Sequence, residues 1–204
     1  MAAAPQKKRT REPQEVRRKA LINATIEVIA EMGLSNVTSQ KVATAADMTA
    51  AMVNFHFSGK TALLHATLKH IADEFIDQHK EALKDSSKSP QETLEKLVRV
   101  SLSDSLSDYR KIAVWYAFYS EARSREDYTK ICNEHDDAYY EFYHDPIRQL
   151  CDNEPRKKNA RSITLGLIGI LEHAAQSILV DHDHDRNEYI EDCLSYLDAV
   201  FEKW

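Results

Sequence analysis

Between positions 38 and 60 the chain carries hydroxyls at Thr38, Ser39 and Thr49, an amide at Asn54, an imidazole at His56 and an ammonium at Lys60. Such groups donate to phosphate oxygens, and an amide can also pair with the edge of a base. Small residues surround them, Ala43, Ala45, Ala46, Ala50 and Ala51, and small side chains let two helices approach closely. Thr38 and Thr49 are of the type that caps a helix by accepting from first-turn amides. Two caps 11 residues apart leave room for about two turns at ~3.6 residues each, and Asp47-Met48 supplies the break. Residues 38–57 therefore read as two short helices, one with Val42, Ala43 and Ala46 inward, the other with Met52, Val53 and Phe57 inward. Neither is stable alone, because nucleation is costly, so both need a scaffold. This is the build of a helix-turn-helix, whose second helix enters a DNA major groove. Thr49, Ala50, Ala51 and Asn54 are expected near base edges, with Phe55 in the same DNA-facing set. Thr38, Ser39, His56 and Lys60 are expected on phosphates.

A second group of chemically active residues is aromatic. Positions 115–119 read WYAFY and 139–143 read YYEFY. Trp115, Phe118 and Tyr119 share a face at helical spacing, as do Tyr139, Phe142 and Tyr143; Glu121, Glu141 and Glu172 bring carboxylates nearby. Aromatic faces with a carboxylate hold organic cations, each contact contributing ~0.5–2 kcal/mol. The same rings also suit core and interface packing. The ligand set expected on the first reading is Trp115, Phe118, Tyr119, Tyr139, Phe142, Tyr143 and Glu172.

Other patterns carry less. Gly59-Lys60-Thr61 lacks the P-loop glycine five residues earlier, where Asn54 stands, and no strand precedes it. Glu141-x-x-His144 is half of a di-iron carboxylate motif without its second copy. His182-Asp183-His184-Asp185 falls in an expected turn and reads as solvated. No nucleophile–base arrangement can be drawn from spacing. No catalytic residue, metal or cofactor is therefore expected. The rival readings are a helical-bundle metalloenzyme using Glu141, His144 and Glu172, and a protein-interaction adaptor.

The elements that position these groups are helices throughout. Four glycines and five prolines in 204 residues, with little β-branched alternation, predict an all-α chain. The first helix spans 14–32, with Leu21, Ala24, Val28 and Met32 at helical spacing and Gly33 as its stop. After the helix pair, Ser58 is expected to cap a helix over 59–84 whose stripe is Leu64, Leu68, Ile71 and Phe75. Lys60 falls in its first turn, where free amides favour phosphate. Residues 85–90 (DSSKSP) mark a boundary, and Ser89, Pro90 and Glu92 form a capping signature. Helices over 91–106, 109–124 and 127–151 follow. Past Pro155 and the run Arg156-Lys157-Lys158, a helix over 157–181 is apolar on more than one side. Asp185 and Glu188 suggest a capping box for a last helix carrying Ile190, Leu194, Leu197, Phe201 and Trp204. Two such helices from each of two subunits could cover one another as a two-fold four-helix interface. The interface set is Ile163, Leu167, Ile170, Leu194, Leu197 and Phe201.

Charge supports a division of labour. The formal net charge is -6, yet residues 1–70 hold 10 Lys/Arg against 5 Asp/Glu. A basic head on an acidic body suggests phosphate contact at one end. Lys7, Lys8, Arg9 and Arg11 form an arm that could follow the phosphate backbone. Cys132, Cys151 and Cys193 make neither a disulfide framework nor a zinc knuckle. No apolar run long enough to span a bilayer is expected, and the basic, polar N-terminus does not resemble a secretory signal. A cytoplasmic protein without a membrane partner follows as the expectation.

Residues 38–64, TSQKVATAADMTAAMVNFHFSGKTALL, resemble the DNA-binding signature of the TetR family, with its Thr-led helix, tight turn, Tyr-x-Tyr-Phe segment and Lys-x-x-Leu-Leu. The resemblance covers about residues 15–75. Asp47 stands at the turn glycine, and Asn54 and His56 replace the two tyrosines. Within the family, FHF-x-x-K-x-x-LL and Ala113, Trp115, Ala117 and Phe118 are similar to the choline-responsive BetI-type subgroup. The resemblance implies an all-α plan of about nine helices. A three-helix head over 14–60 would carry the helix-turn-helix, and a ligand-binding, dimerising bundle would occupy 61–204. It implies a homodimeric repressor that binds a palindromic operator and is released by a small-molecule effector, choline or another organic amine.

Overall fold

One long helix, α4 (Lys60–Leu83), joins two cores in a computed structural model that describes residues 13–84, 89–153 and 158–201. Before it come α1 (Gln14–Met32), a 3-10 turn at Leu34–Asn36, α2 (Ser39–Ala45) and α3 (Ala50–Phe57). After it come α5 (Pro90–Ser101), α6 (Tyr109–Ala122), α7 (Glu126–Asp152), α8 (Ala160–Val180) and α9 (Arg186–Val200). The described residues are thus all-helical, with nine α-helices. The arm residues Lys7, Lys8, Arg9 and Arg11, the segment 85–88, Pro155, Arg156, Lys157 and Trp204 lie outside the described residues.

Local chemistry sets most ends. Gly33 takes φ 78° and donates its amide to the Ile29 carbonyl at 2.8 Å, closing α1. Ser89 accepts from the Glu92 amide at 3.2 Å while Glu92 accepts from the Ser89 amide at 2.9 Å, the reciprocal capping box. Three expectations need correction. Ser58 does not cap α4; it ends α3 in the left-handed region at φ 54°, and Gly59, at φ 109°, is the capping position. Asp185 caps α9 through the Asn187 amide at 2.9 Å, but Glu188 approaches His184 at 3.5 Å, so no box forms. α5 stops at Ser101, because Ser103 and Ser107 bond locally and turn the chain.

The head core gathers Leu21, Ile29, Val42, Val53, Phe57 and Leu63 with Val114, Phe118 and Tyr128 from the body. The body core gathers Leu94, Leu97, Tyr143, Ile147, Leu167, Ile178 and Leu197. The change from one to the other falls within α4, between Ala72 and Phe75. α8 corrects one expectation: with mean hydropathy 1.6 over its most apolar window, it is long and apolar enough to span a bilayer by composition. It packs on α6, α7 and α9. Isolated polar residues within it interrupt a run without lowering the average enough.

Candidate nucleic-acid interface and ligand cavity

In the head, Thr38 accepts from the Lys41 amide at 3.2 Å and so caps α2. The turn that follows holds Asp47 at φ 52°, a left-handed conformation Asp tolerates better than most side chains. Its closure is the Met48 amide donating to Ala43 O at 2.7 Å. Thr49 occupies the cap position of α3, but its side chain makes no cap bond, contrary to expectation. Val53 and Phe57 are buried, while Ala51, Asn54 and Phe55 are exposed, Phe55 by 75 %. Thr38 and Thr49 are also exposed; Ser39, Ala50, His56 and Lys60 are half-buried. The expected DNA-facing residues thus occur on α3 and at the starts of α2 and α4.

One brace was not legible in the sequence. Arg18 of α1 donates to the His56 carbonyl at 2.9 Å and lays its guanidinium 4.1 Å from the centre of the Phe57 ring. A cation at the C-terminal end of α3 opposes the helix dipole and fixes the short helix on its scaffold. Its hydrogen-bond partner lies 38 positions away, beyond any local pattern. His56 Nδ1 is buried without a hydrogen-bond partner among the described residues.

In the body, α4, α6, α7 and α8 line a cavity of ≈ 100 Å³ that opens to the surface. Its aromatic wall is Phe75, Trp115, Tyr116, His135 and Tyr139, and Glu172 brings a carboxylate. Ring centres lie 4.1 Å apart for Trp115–His135, 4.5 Å for Phe75–His135 and 5.1 Å for Phe75–Tyr139. Tyr116 donates to Glu172 Oε2 at 2.9 Å. Burial, and then the neighbouring carboxylate, push the Tyr116 hydroxyl up to about 12, so it remains a donor at neutral pH. A second carboxylate, Glu74, also lines the cavity and is paired with Lys111 at 2.7 Å.

Trp115, Tyr139 and Glu172 of the expected ligand set therefore meet at the cavity. The other four do not line it. Phe118 packs edge-on against Tyr128 at 5.0 Å in the head core. Tyr119 is 48 % exposed and bonds Asp136 at 3.3 Å. Phe142 stacks on His79 at 5.2 Å, and Tyr143 bonds Ser101 at 2.8 Å. Phe75, Tyr116 and His135 take their places. All three had a signal: Phe75 belongs to the inward stripe of α4, Tyr116 to the WYAFY run, and His135 to the stripe Tyr128, Ile131, His135, Ala138 and Phe142 of α7.

Glu141 is exposed, and His144 Nδ1 is shared between Tyr140 at 3.1 Å and Thr164 at 3.2 Å. No group of three potential metal ligands occurs among the described residues. Of the expected interface set, Ile163, Leu167, Leu197 and Phe201 are buried in the subunit's own core, whereas Ile170 and Leu194 are half-buried. Leu165 adds a side chain 46 % exposed on α8.

A helix-turn-helix carried on a helical body with an aromatic cavity defines a class of bacterial regulators. Residues 21–67 match the family profile described as bacterial regulatory proteins, tetR family, and residues 90–202 match that of the BetI-type transcriptional repressor C-terminal domain. The chain belongs to the TetR family, with a BetI-type body, a family of regulators rather than of enzymes. It is 33 % identical to the HTH-type transcriptional regulator BetI of Rhizobium meliloti over 118 residues, 58 % of each chain. The match thus spans less than two thirds of that relative. BetI 1 of Chromohalobacter salexigens is 25 % identical over 186 residues, 89 % of this chain and 92 % of that one. Among solved structures, a protein from Saccharomonospora viridis in complex with choline superposes with TM-score 0.77 at 18 % identity, covering 90 % of this chain and 96 % of that one. A TetR transcription regulator from Haloarcula marismortui superposes with TM-score 0.74 at 19 % identity, covering 91 % and 98 %.

Proposed function

We propose that the chain is a cytoplasmic, homodimeric repressor released from a palindromic operator by a quaternary amine of the choline type. The observation that carries the ligand is Glu172, a carboxylate set among Trp115, Tyr116 and Tyr139 in one cavity. Ring faces and a nearby negative charge attract a cation too large and apolar to keep a tight water shell. That a structurally similar protein was solved with choline supports the same class.

The exposed residues Ala51, Asn54 and Phe55 support major-groove docking of α3. Thr38, Ser39, Thr49, His56 and Lys60 surround that edge and serve the phosphates or adjoining bases. The partly exposed apolar face of α8 and α9, with Leu165, Ile170 and Leu194, supports the dimer. Two heads then read half-sites about 34 Å apart, or a multiple of that, on one DNA face. Ligand releases DNA only by favouring the head spacing that fits the operator less well.

The test is calorimetric titration of the full chain with choline, together with fluorescence anisotropy on DNA from upstream of its own gene. Wild type should bind choline and leave the DNA as choline is added. Glu172→Gln should lose choline binding and stay on the DNA. Equal choline binding by both proteins would refute the site.

A further inference from the structure

We infer that the Glu74–Lys111 ion pair couples the cavity to the head: an organic cation bound among the rings draws Glu74 off Lys111 and leaves that ammonium facing α1. The inference rests on the amine-binding reading of the cavity and assigns its coupling route.

Glu74 precedes the cavity residue Phe75 on α4, and Lys111 lies one turn before Trp115 on α6. Lys111 Nζ reaches Glu74 Oε2 at 2.7 Å and the Ser105 carbonyl at 2.8 Å. Both side chains also line a second, polar cleft of ≈ 320 Å³, where Lys19, Asn23 and Glu27 of α1 face them. The pair is therefore a wall shared by the cavity and the seam between head and body.

In the cleft Arg110 is already bonded to Asp108, with Nε at 3.0 Å from Oδ1. The remaining charges lining it are Lys19 and Lys111 against Glu27 and Glu74, besides the His70 imidazole. Burial, ahead of any charge effect, lowers the His70 pKa; Glu74 raises it, and both Lys19 and Lys111 lower it. The two ammoniums thus already act on one point. If Glu74 turns to a bound cation, two ammoniums, one on each side of the seam, face a single carboxylate. The side chains of Lys111 and Glu74 are only 20 % and 25 % exposed, so solvent screens the change incompletely. Because Val114 and Phe118 of α6 pack into the head core with Leu21 and Val28, repulsion across the cleft acts on the contact between α1 and α6.

The experiment uses the full chain, choline chloride as the probe, calorimetry for affinity and amide hydrogen exchange of residues 14–32 for the state of α1. In wild type, choline should speed α1 exchange. Lys111→Met frees Glu74 without leaving an ammonium; choline should bind about three- to tenfold tighter and α1 should no longer respond. Glu74→Gln should bind choline more weakly and show fast α1 exchange before any is added. The exchanged pair Glu74→Lys with Lys111→Glu restores the bridge, guarding against misfolding of the single variants. It should keep the wild-type melting temperature and lose choline binding. Unchanged or weaker choline affinity in Lys111→Met, or choline binding by the exchanged pair, overturns the coupling. The amine reading then survives if Glu172→Gln still abolishes binding. A wild type that does not bind choline overturns both.

Discussion

His79 is buried completely in the body core, between the rings of Phe75 and Phe142. Its Nδ1 lies 2.9 Å from the Phe75 carbonyl, which can only accept, so Nδ1 carries the proton. Nε2 then accepts from Ser101 at 2.8 Å, and Ser101 in turn accepts from the Tyr143 hydroxyl at 2.8 Å. Burial pushes the His79 pKa down to about 4. The unfolded chain, with an ordinary imidazole near 6.5, binds more protons between those values. Stability is therefore complete above pH 6.5 and falls as pH drops towards 4. Urea denaturation should show a loss of about 2 kcal/mol between pH 7 and pH 5, much reduced in His79→Gln; equal losses would rule out the assignment. At the DNA-facing edge, Lys60 is half-buried in the first turn of α4. Lys60→Ala should weaken binding to specific and non-specific DNA alike and flatten the salt dependence by about one charge. An anisotropy titration at several salt concentrations reads both effects.

At the scale of the element, the short helices depend on neighbours and the long ones on their caps and stripes. The seven residues of α2 and eight of α3 cannot hold themselves; Val42, Val53 and Phe57 bury them against α1 and α4, and Arg18 ties down the end of α3. α5 starts instead from a complete capping box with Pro90 at its first position. Ser89→Ala removes one member and should cost about 1 kcal/mol, read as a lower urea midpoint with an unchanged slope. No loss would mean that packing of Leu94, Leu97 and Val98 alone defines where the helix begins.

At the scale of the whole molecule, the proposed dimer rests on α8 and α9. Leu165, Ile170 and Leu194 keep apolar area outside the subunit's own core, and a charged side chain there would be desolvated on association. Ile170→Arg should shift sedimentation from dimer to monomer and lower operator affinity by more than tenfold, while far-ultraviolet dichroism stays that of the wild type. A variant that remains dimeric would move the interface elsewhere.

The amino-acid sequence by itself determined what local physics controls. Four glycines, five prolines and regular apolar stripes specify helices. Thr38, Gly33 and Ser89-Pro90 mark ends, and the order of small, capping and basic residues specifies the helix-turn-helix. Where two local options competed, as at Ser58, the backbone's need for a left-handed residue won over side-chain capping. Only the tertiary structure decided which side of each helix faces which neighbour. Successive side chains turn by about 100°, so the five residues of WYAFY point several ways. Trp115 and Tyr116 reach the cavity, Phe118 enters the head core and Tyr119 reaches solvent. Spacing fixes that divergence but not its rotation, which is set by packing against α1, α4, α7 and α8. For the same reason Phe75, His135 and Glu74, distant in the chain, became cavity walls, and Lys111 found its partner across a seam that no local pattern contains.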